Sequence, residues 1–177
     1  MRILMVGSGG REHALIRKLK ESPRCEEIYC APGNGGISKD AVCVDISAED
    51  IDGIAAFAKE KNIDLVFVAP DDPLAAGMVD ALEQAGIRAF GPRKNAAVIE
   101  SSKVFSKNLM KKYGIPTAAY EVFTDYDAAR AYIDGCRYPV VLKADGLALG
   151  KGVLICETHE QAVAGLKEIM LDQAFGS

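Results

Sequence analysis

A chain of 177 residues, 49% of them hydrophobic, carries enough apolar mass for one sizeable core or two smaller ones. Its 21 basic residues against 25 acidic ones give a formal charge of −4, with no basic run and no patch of Arg among aromatics, so nucleic acid is not an expected partner. No stretch reaches the roughly 18 apolar residues of a membrane span, and the opening MRILMVGSGG lacks the length and cleavage site of a signal peptide, so no membrane partner and a cytoplasmic location are expected.

From the first residue to about Phe90, short apolar runs alternate with longer amphipathic ones. RILMVG, EEIYCA, AVCVDI, DLVFVAP and IRAFGP read as strands; REHALIRKLKES, AEDIDGIAAFAKEK and LAAGMVDALEQAG read as the helices between them. This alternation predicts a parallel sheet covered on both faces, and the wholly apolar Leu65 to Val68 is expected at its centre. From Arg93 the pattern changes to two adjoining helical stretches, KNAAVIES and SKVFSKNLMKKYG, closed by Gly114 as a helix terminator and Pro116 as a block to continuation. Beyond them come a strand-like AAYEVF, a helix DYDAARAYIDG, a strand YPVVLKAD, a glycine-rich stretch, a strand GVLICE and a helix THEQAVAGLKEIMLD. Two strands separated only by a short loop predict an antiparallel hairpin. The second domain, so read, is expected to be unfinished at Ser177.

Five cysteines without a C-x-x-C spacing read as small buried hydrophobes in a reducing compartment, and His13 and His159 alone make a zinc site an unattractive reading. The loop Gly7-Ser8-Gly9-Gly10-Arg11 lies between a strand and a helix, where glycines allow close backbone approach and the first helical N–H groups attract an anion. Glu12 stands where a dinucleotide fingerprint has Gly, and the acidic ribose ligand after the second strand is missing, which argues against NAD and leaves a phosphate or phosphosugar. The bland alternative is a tight turn with no ligand. Two more loops, Pro32-Gly33-Asn34-Gly35-Gly36 and Ala69-Pro70-Asp71-Asp72-Pro73, fall at the same predicted sheet edge, where open α/β sheets bind ligands. Asp71 or Asp72 has the chemistry to hold ribose hydroxyls or an amine, although Asp72-Pro73 as a helix start explains one of the two equally well.

In the second half, KADGLALGKGV (143–153) is not a Walker loop: three residues separate Gly146 from Gly150, and Gly152 follows Lys151 where a Ser or Thr would be needed for Mg²⁺. Three lysines have distinctive settings. Lys103 opens a helix, which is unfavourable without a nearby anion; Lys143 lies in an apolar strand, where a buried ammonium needs a partner; Lys151 lies in the glycine stretch itself. Singly each is expected to be a solvated side chain; together, around a glycine loop, they point to polyphosphate.

GSGGREHAL, APGNGG, APDDPL, FGP, ESSKVFSKNLMKKYGIPTA and KADGLALGKGV resemble, in order and spacing, the glycinamide ribonucleotide synthetase family of the ATP-grasp superfamily. The resemblance implies a preATP-grasp, Rossmann-like α/β parallel-sheet domain over residues 1–92, a helical connection over 93–117, and an incomplete ATP-grasp domain, its small α+β lid subdomain, over 118–177. It also implies ligation of glycine to 5-phosphoribosylamine through glycyl phosphate, with ATP and Mg²⁺ or Mn²⁺, in purine synthesis. Gly9, Gly10, Arg11, Asn34, Gly35, Asp71 and Pro73 would line the phosphoribosylamine side. Lys103 and Lys143 would contact ATP phosphates, with Gly146, Gly150, Lys151 and Gly152 in a covering loop. The resemblance places the metal ligands beyond Ser177, so no catalytic or metal residue is assigned here and the chain alone is expected to be inactive. Asp71, Ser101 and Leu149 depart from the family's usual Glu, Gly and Ala. Competing readings are another ATP-grasp ligase, such as a biotin carboxylase or a purine carboxylase, and a non-catalytic phosphosugar- or nucleotide-binding module.

Overall fold

The computed structural model describes residues 1–147 and 152–174. Contacts divide the chain into two compact units, Met1–Val98 and Ile99–Ser177.

The first unit is a parallel sheet with helices on both faces. Its strands are β1 (Arg2–Gly7), β2 (Glu27–Pro32), β3 (Val42–Cys43), β4 (Leu65–Val68) and β5 (Ala89–Phe90), in the order β3-β2-β1-β4-β5. Every pairing is parallel. The centre is therefore β1, and β4 lies one place out, between β1 and β5. Both have an apolar run, but β1 carries the longer one, and Ile3, Leu4, Met5 and Val6 are all buried. Burial on both faces selects continuous apolar strands without saying which of two lies in the middle.

Alternation along β1 sorts the core into two layers. Leu4 and Val6 join Val66 and Val68 of β4, Ile54 and Ala58 of α2 (Ile51–Glu60), and Met78, Val79 and Leu82 of α4 (Met78–Gln84). Ile3 and Met5 face the other way, onto Ile16 of α1 (Gly10–Lys20) and Ile28 and Cys30 of β2. The predicted single helix over 74–86 is two: α3 (Asp71–Ala76) ends at Gly77, whose φ of +99° is left-handed, and α4 starts beyond it. Asp72 does not cap α3; Pro70 occupies the N-cap position, and Asp71, Asp72 and Pro73 form the first turn. A proline is tolerated there because first-turn N–H groups have no intrahelical acceptor.

The chain passes into the second unit through α5 (Lys94–Ser101), followed by α6 (Lys103–Lys112). Gly114, at φ +66°, lets the N–H groups of Gly114 and Ile115 turn back to the carbonyls of Lys111 and Met110, a Schellman closure of α6. The predicted strand over 118–123 is not formed: this segment has no ladder among the described residues, and apolar alternation without a hydrogen-bonded partner makes no strand. α7 (Tyr126–Asp134) and α8 (His159–Met170) are capped by Asp125 and Thr158, whose side chains accept from the N–H groups of Ala128 and Gln161. Between them β6 (Val140–Lys143) and β7 (Val153–Cys156) form the expected antiparallel pair. One face of this hairpin, with Val140, Leu142, Leu154 and Cys156, packs on Ala129, Ile133, Ala162 and Leu166 of the two helices.

Candidate functional site

The first unit gathers its three loops at the carboxyl edge of the sheet, on either side of the point where the chain order reverses between β1 and β4. Hydrogen bonds tie the first two together: Gly33 N–H donates to Gly7 O at 3.1 Å, and Asn34 Nδ2 donates to Ser8 O at 2.6 Å. The other end of the same amide accepts from Gly36 N–H at 2.7 Å and Ile37 N–H at 2.9 Å. Asn34 is thus both the fold of its own turn and the bridge to the first loop. Across the opposite side, Arg11 and Asp71 form an ion pair at 3.9 Å that joins the first loop to the third.

Of the residues singled out in the sequence, Gly9, Gly10, Arg11, Asn34, Gly35 and Asp71 are therefore on one edge. Gly9, Gly10, Arg11, Asn34 and Gly35 are exposed, and a Cβ built on Gly10 or Gly35 would meet nothing within 4 Å. The backbone there borders open space, as an anion site requires. Pro73 differs: it is fully buried and shapes the first turn of α3.

Below the first loop lies a residue that stands out in the sequence only as a departure from the glycine fingerprint. Glu12, third residue of α1, is 3% exposed, and its Oε2 accepts from Gly9 N–H at 2.5 Å. Its Oε1 is buried with no hydrogen-bond partner among the described residues. The carboxylate fills the space that a glycine fingerprint leaves vacant: a Cβ on Gly7, whose φ is +124°, would lie 2.7 Å from Glu12 Cγ and 2.8 Å from Pro70 Cγ. The spacing of an N-cap and a Glu three residues on, half of a capping box, was the available signal. Cys30, directly beside this turn, is inert: its Sγ donates to Gly7 O at 3.2 Å, and burial pushes its thiol up to about 12.

In the second unit, Lys103 has the anion that its position on the helix demands, and it is Asp145. This carboxylate accepts from Lys103 N–H at 2.6 Å, Val104 N–H at 3.2 Å and Ser102 Oγ at 3.1 Å. Ser102 Oγ in turn accepts from Phe105 N–H at 3.0 Å, so the first turn of α6 is fully capped. Burial pushes Asp145 up, but the hydrogen bonds from Val104, Ser102, Gly146 and Lys103 outweigh it, and the carboxyl lies below its ordinary value. Lys103 Nζ donates to Gly146 O at 2.8 Å. Lys103 and Asp145 are 42 residues apart, and nothing in the sequence pattern pairs them.

Lys143 is not buried. It lies on the exposed face of β6, which also carries Val141 and, across the pair, Val153 and Ile155, the last 68% exposed. Alternation along β6 turns Val140 and Leu142 inward and leaves Lys143 outward, so no buried partner is required. Gly152 is buried beside Ala144, to which its carbonyl is bonded at 2.8 Å. Gly150 and Lys151, and with them Leu149, lie outside the described residues. Among the described residues no group of three or more His, Cys, Asp or Glu side chains is placed to hold a metal ion.

Comparison with known proteins follows the same division. Residues 1–100 match the family described as Phosphoribosylglycinamide synthetase, N domain, and residues 101–177 match its ATP-grasp (A) domain. The phosphoribosylamine--glycine ligase of Listeria monocytogenes serotype 4b is 55% identical over 177 residues, covering 99% of this chain and 42% of that protein. That of Halalkalibacterium halodurans is 51% identical over 176 residues, covering 99% and 41%. The crystal structure of the Thermotoga maritima phosphoribosylamine--glycine ligase superposes with a TM-score of 0.74 at 32% identity, covering 94% of this chain and 39% of that one. A Campylobacter jejuni biotin carboxylase superposes at 0.76 with 21% identity, covering 98% of this chain and 42% of that one, which shows a shared fold. The chain spans about 42% of the length of the curated relatives it matches. With both parts of the chain matched in order, and relatives of one kind running through all of it, the chain belongs to the phosphoribosylglycinamide synthetase family.

Proposed function

We propose that this chain carries the phosphosugar loops and part of the nucleotide site of a cytoplasmic ATP-dependent ligase that joins glycine to 5-phosphoribosylamine. The observation that carries this reading is the convergence of three loops on one sheet edge, with Asn34 tied to Ser8 and Arg11 set against Asp71. A phosphate dianion suits the Gly10 N–H at the start of α1, that of Gly9 being committed to Glu12, with the Arg11 guanidinium beside it. Asp71 brings a carboxylate to the same edge, where hydroxyls or an amine of the sugar would meet it. The five free thiols fit a reducing compartment.

In the second unit, the exposed apolar face of the β6–β7 hairpin offers a surface for a flat base, with Lys143 on the same face for phosphate. Lys103 would reach phosphate by its side chain alone, since its N–H is committed to Asp145. The glycine stretch 146–152 is the segment that would cover the phosphates.

The chemistry such an enzyme must solve is that a carboxylate is a poor acyl donor. Attack of the glycine carboxylate on the γ-phosphorus breaks the bond to ADP and gives an acyl phosphate. The sugar amine then displaces inorganic phosphate and forms the amide. What this chain contributes is positioning and charge: the sugar phosphate held at the loops, the nucleotide phosphates at the lysines. No residue of it is assigned to the metal.

Calorimetric titration tests the reading. Ribose 5-phosphate, the hydroxyl analogue of the amine, is expected to bind, and Arg11→Ala to weaken it by about tenfold, the worth of one charge-assisted contact. Turnover of ATP, glycine and phosphoribosylamine by the 177 residues is expected to be absent. If neither ribose 5-phosphate nor ATP binds, the site assignment fails. Binding of the phosphosugar with no ATP affinity would favour the alternative of a phosphosugar-binding module, for which the self-contained cores of Met1–Val98 speak.

A further inference from the structure

Beside Gly36 lies a further tie between α1 and the second loop, one that the proposed site does not itself use. His13, one turn into α1 after Gly10, places Nε2 2.9 Å from Asp40 Oδ2. Lys20, two turns further along the same helix, donates from Nζ to Asp40 Oδ1 at 2.9 Å. Asp40 ends the short 3-10 helix Ile37–Lys39, which begins immediately after the glycine turn. The hydrogen bonds from His13 and then Lys20 hold the Asp40 carboxyl down to about 2, so it is ionised at neutral pH. Nε2 therefore carries the proton and donates it. The ring also abuts the turn itself: a Cβ placed on Gly36 would sit 3.5 Å from both Cε1 and Nδ1 of His13.

Resting on the phosphosugar reading above, we propose that His13 is a positioning residue for phosphosugar binding: it fixes the Asn34–Ile37 turn to the first turn of α1. The physical argument is one of leverage. Gly35 and Gly36 confer no rigidity of their own, and a Cβ at Gly35 would touch nothing. Asn34 holds the front of the turn to Ser8. Gly33 N–H on Gly7 O and the buried Ile37 hold the two ends of the segment, but the glycines between them can still turn, and without the His13 contact the N–H groups bordering the open space change direction relative to Gly9, Gly10 and Arg11. His13 and Lys20 clamp the segment through one carboxylate. Because His13 belongs to the same helix turn as Gly10 and Arg11, both loops share one rigid reference. A ligand bridging them then meets donors whose separation is already set, which lowers the ordering cost of binding.

The test uses the full 177-residue chain, with ribose 5-phosphate as the probe and backbone amide exchange at Gly36 and Ile37 as a readout that needs no ligand. His13→Ala is expected to weaken the probe about tenfold, on the scale of one charge-assisted hydrogen bond, and to speed exchange at both amides. His13→Gln, whose amide nitrogen can reach the place of Nε2, is expected to restore both. Asp40→Asn, which keeps the shape and removes the charge, is expected to behave like the alanine variant; it serves if His13→Ala does not fold. Equal affinity and unchanged exchange in His13→Ala and Asp40→Asn overturn the proposal, as does weakening that the glutamine fails to rescue. If the unaltered chain does not bind ribose 5-phosphate, the phosphosugar reading itself falls, an outcome separate from binding that is indifferent to His13.

Discussion

Single carboxylates do much of the work in this chain, and each is defined by what it accepts. Glu12 holds the first loop from below, Asp145 caps a helix it does not belong to, and Asp40 receives a histidine and a lysine from one helix. The last gives a pH prediction with a definite sign. Asp40 is held at about 2 in the folded chain, against an ordinary 3.8. A group whose pKa is depressed by folding contributes stability that is complete above the unfolded value and disappears as pH falls through the folded one. Melting temperature is therefore expected to fall between about pH 4 and pH 2, and to fall less steeply in Asp40→Asn, which has no proton to take up. Parallel acid profiles for the two proteins would remove Asp40 from the account. The sequence contained His13, Lys20 and Asp40 in plain view, but only their meeting across loop and helix makes them a unit.

At the scale of elements, the close approach of α8 to the hairpin makes a prediction that helix propensity alone gets backwards. Gly165 lies mid-helix, where alanine ordinarily stabilises by up to about 1 kcal/mol. A Cβ there would lie 2.9 Å from Leu154 Cδ1 and 3.1 Å from Leu142 Cδ1, the two leucines that β6 and β7 turn inward. Overpacking of this kind costs roughly 1–3 kcal/mol. Gly165→Ala is thus expected to be destabilising by about 1–2 kcal/mol on balance in urea denaturation, and a gain in stability would show that the leucines give way freely. The elements themselves were mostly legible, because amphipathic period and capping residues are local: β1 is found over Arg2–Gly7, and α6 starts one residue inside the predicted stretch and stops before Gly114. The failures have separate causes. The helix over 74–86 breaks at Gly77, where a left-handed residue is needed, and 118–123 forms no strand for want of a partner.

For the molecule as a whole, the uneven distribution of core between the two units has consequences. Met1–Val98 has apolar layers on both faces of its sheet, each with fully buried side chains from strand and helix. Among its described residues Ile99–Ser177 has one layer, built on Ala129, Ile133, Cys156, Ala162 and Leu166, while the other face of its hairpin leaves Val141, Val153 and Ile155 exposed. A polypeptide of residues 1–101, which keeps Ala97 of α5 in the first core, is expected to fold by itself with a single cooperative thermal transition. A broad, uncooperative melt would mean that the first unit depends on the second. The exposed apolar strip, like the open edge above Gly10 and Gly35, points toward a ligand or a covering element.

What the sequence by itself determined was the class of fold, the hairpin, the position of three loops at strand ends, and through its motifs the family. These depend on period, on local conformational preference and on short runs of residues, all of which are written along the chain. Only the tertiary structure decided that β1 and not β4 is central, that Lys143 faces outward, that Lys103 answers to Asp145, and that His13 and Asp40 meet beside the second loop. The physical reason is common to all four: strand order, the face a side chain takes, and the partner of a charge are set by which segments come together across long separations in sequence, and no local pattern encodes that choice.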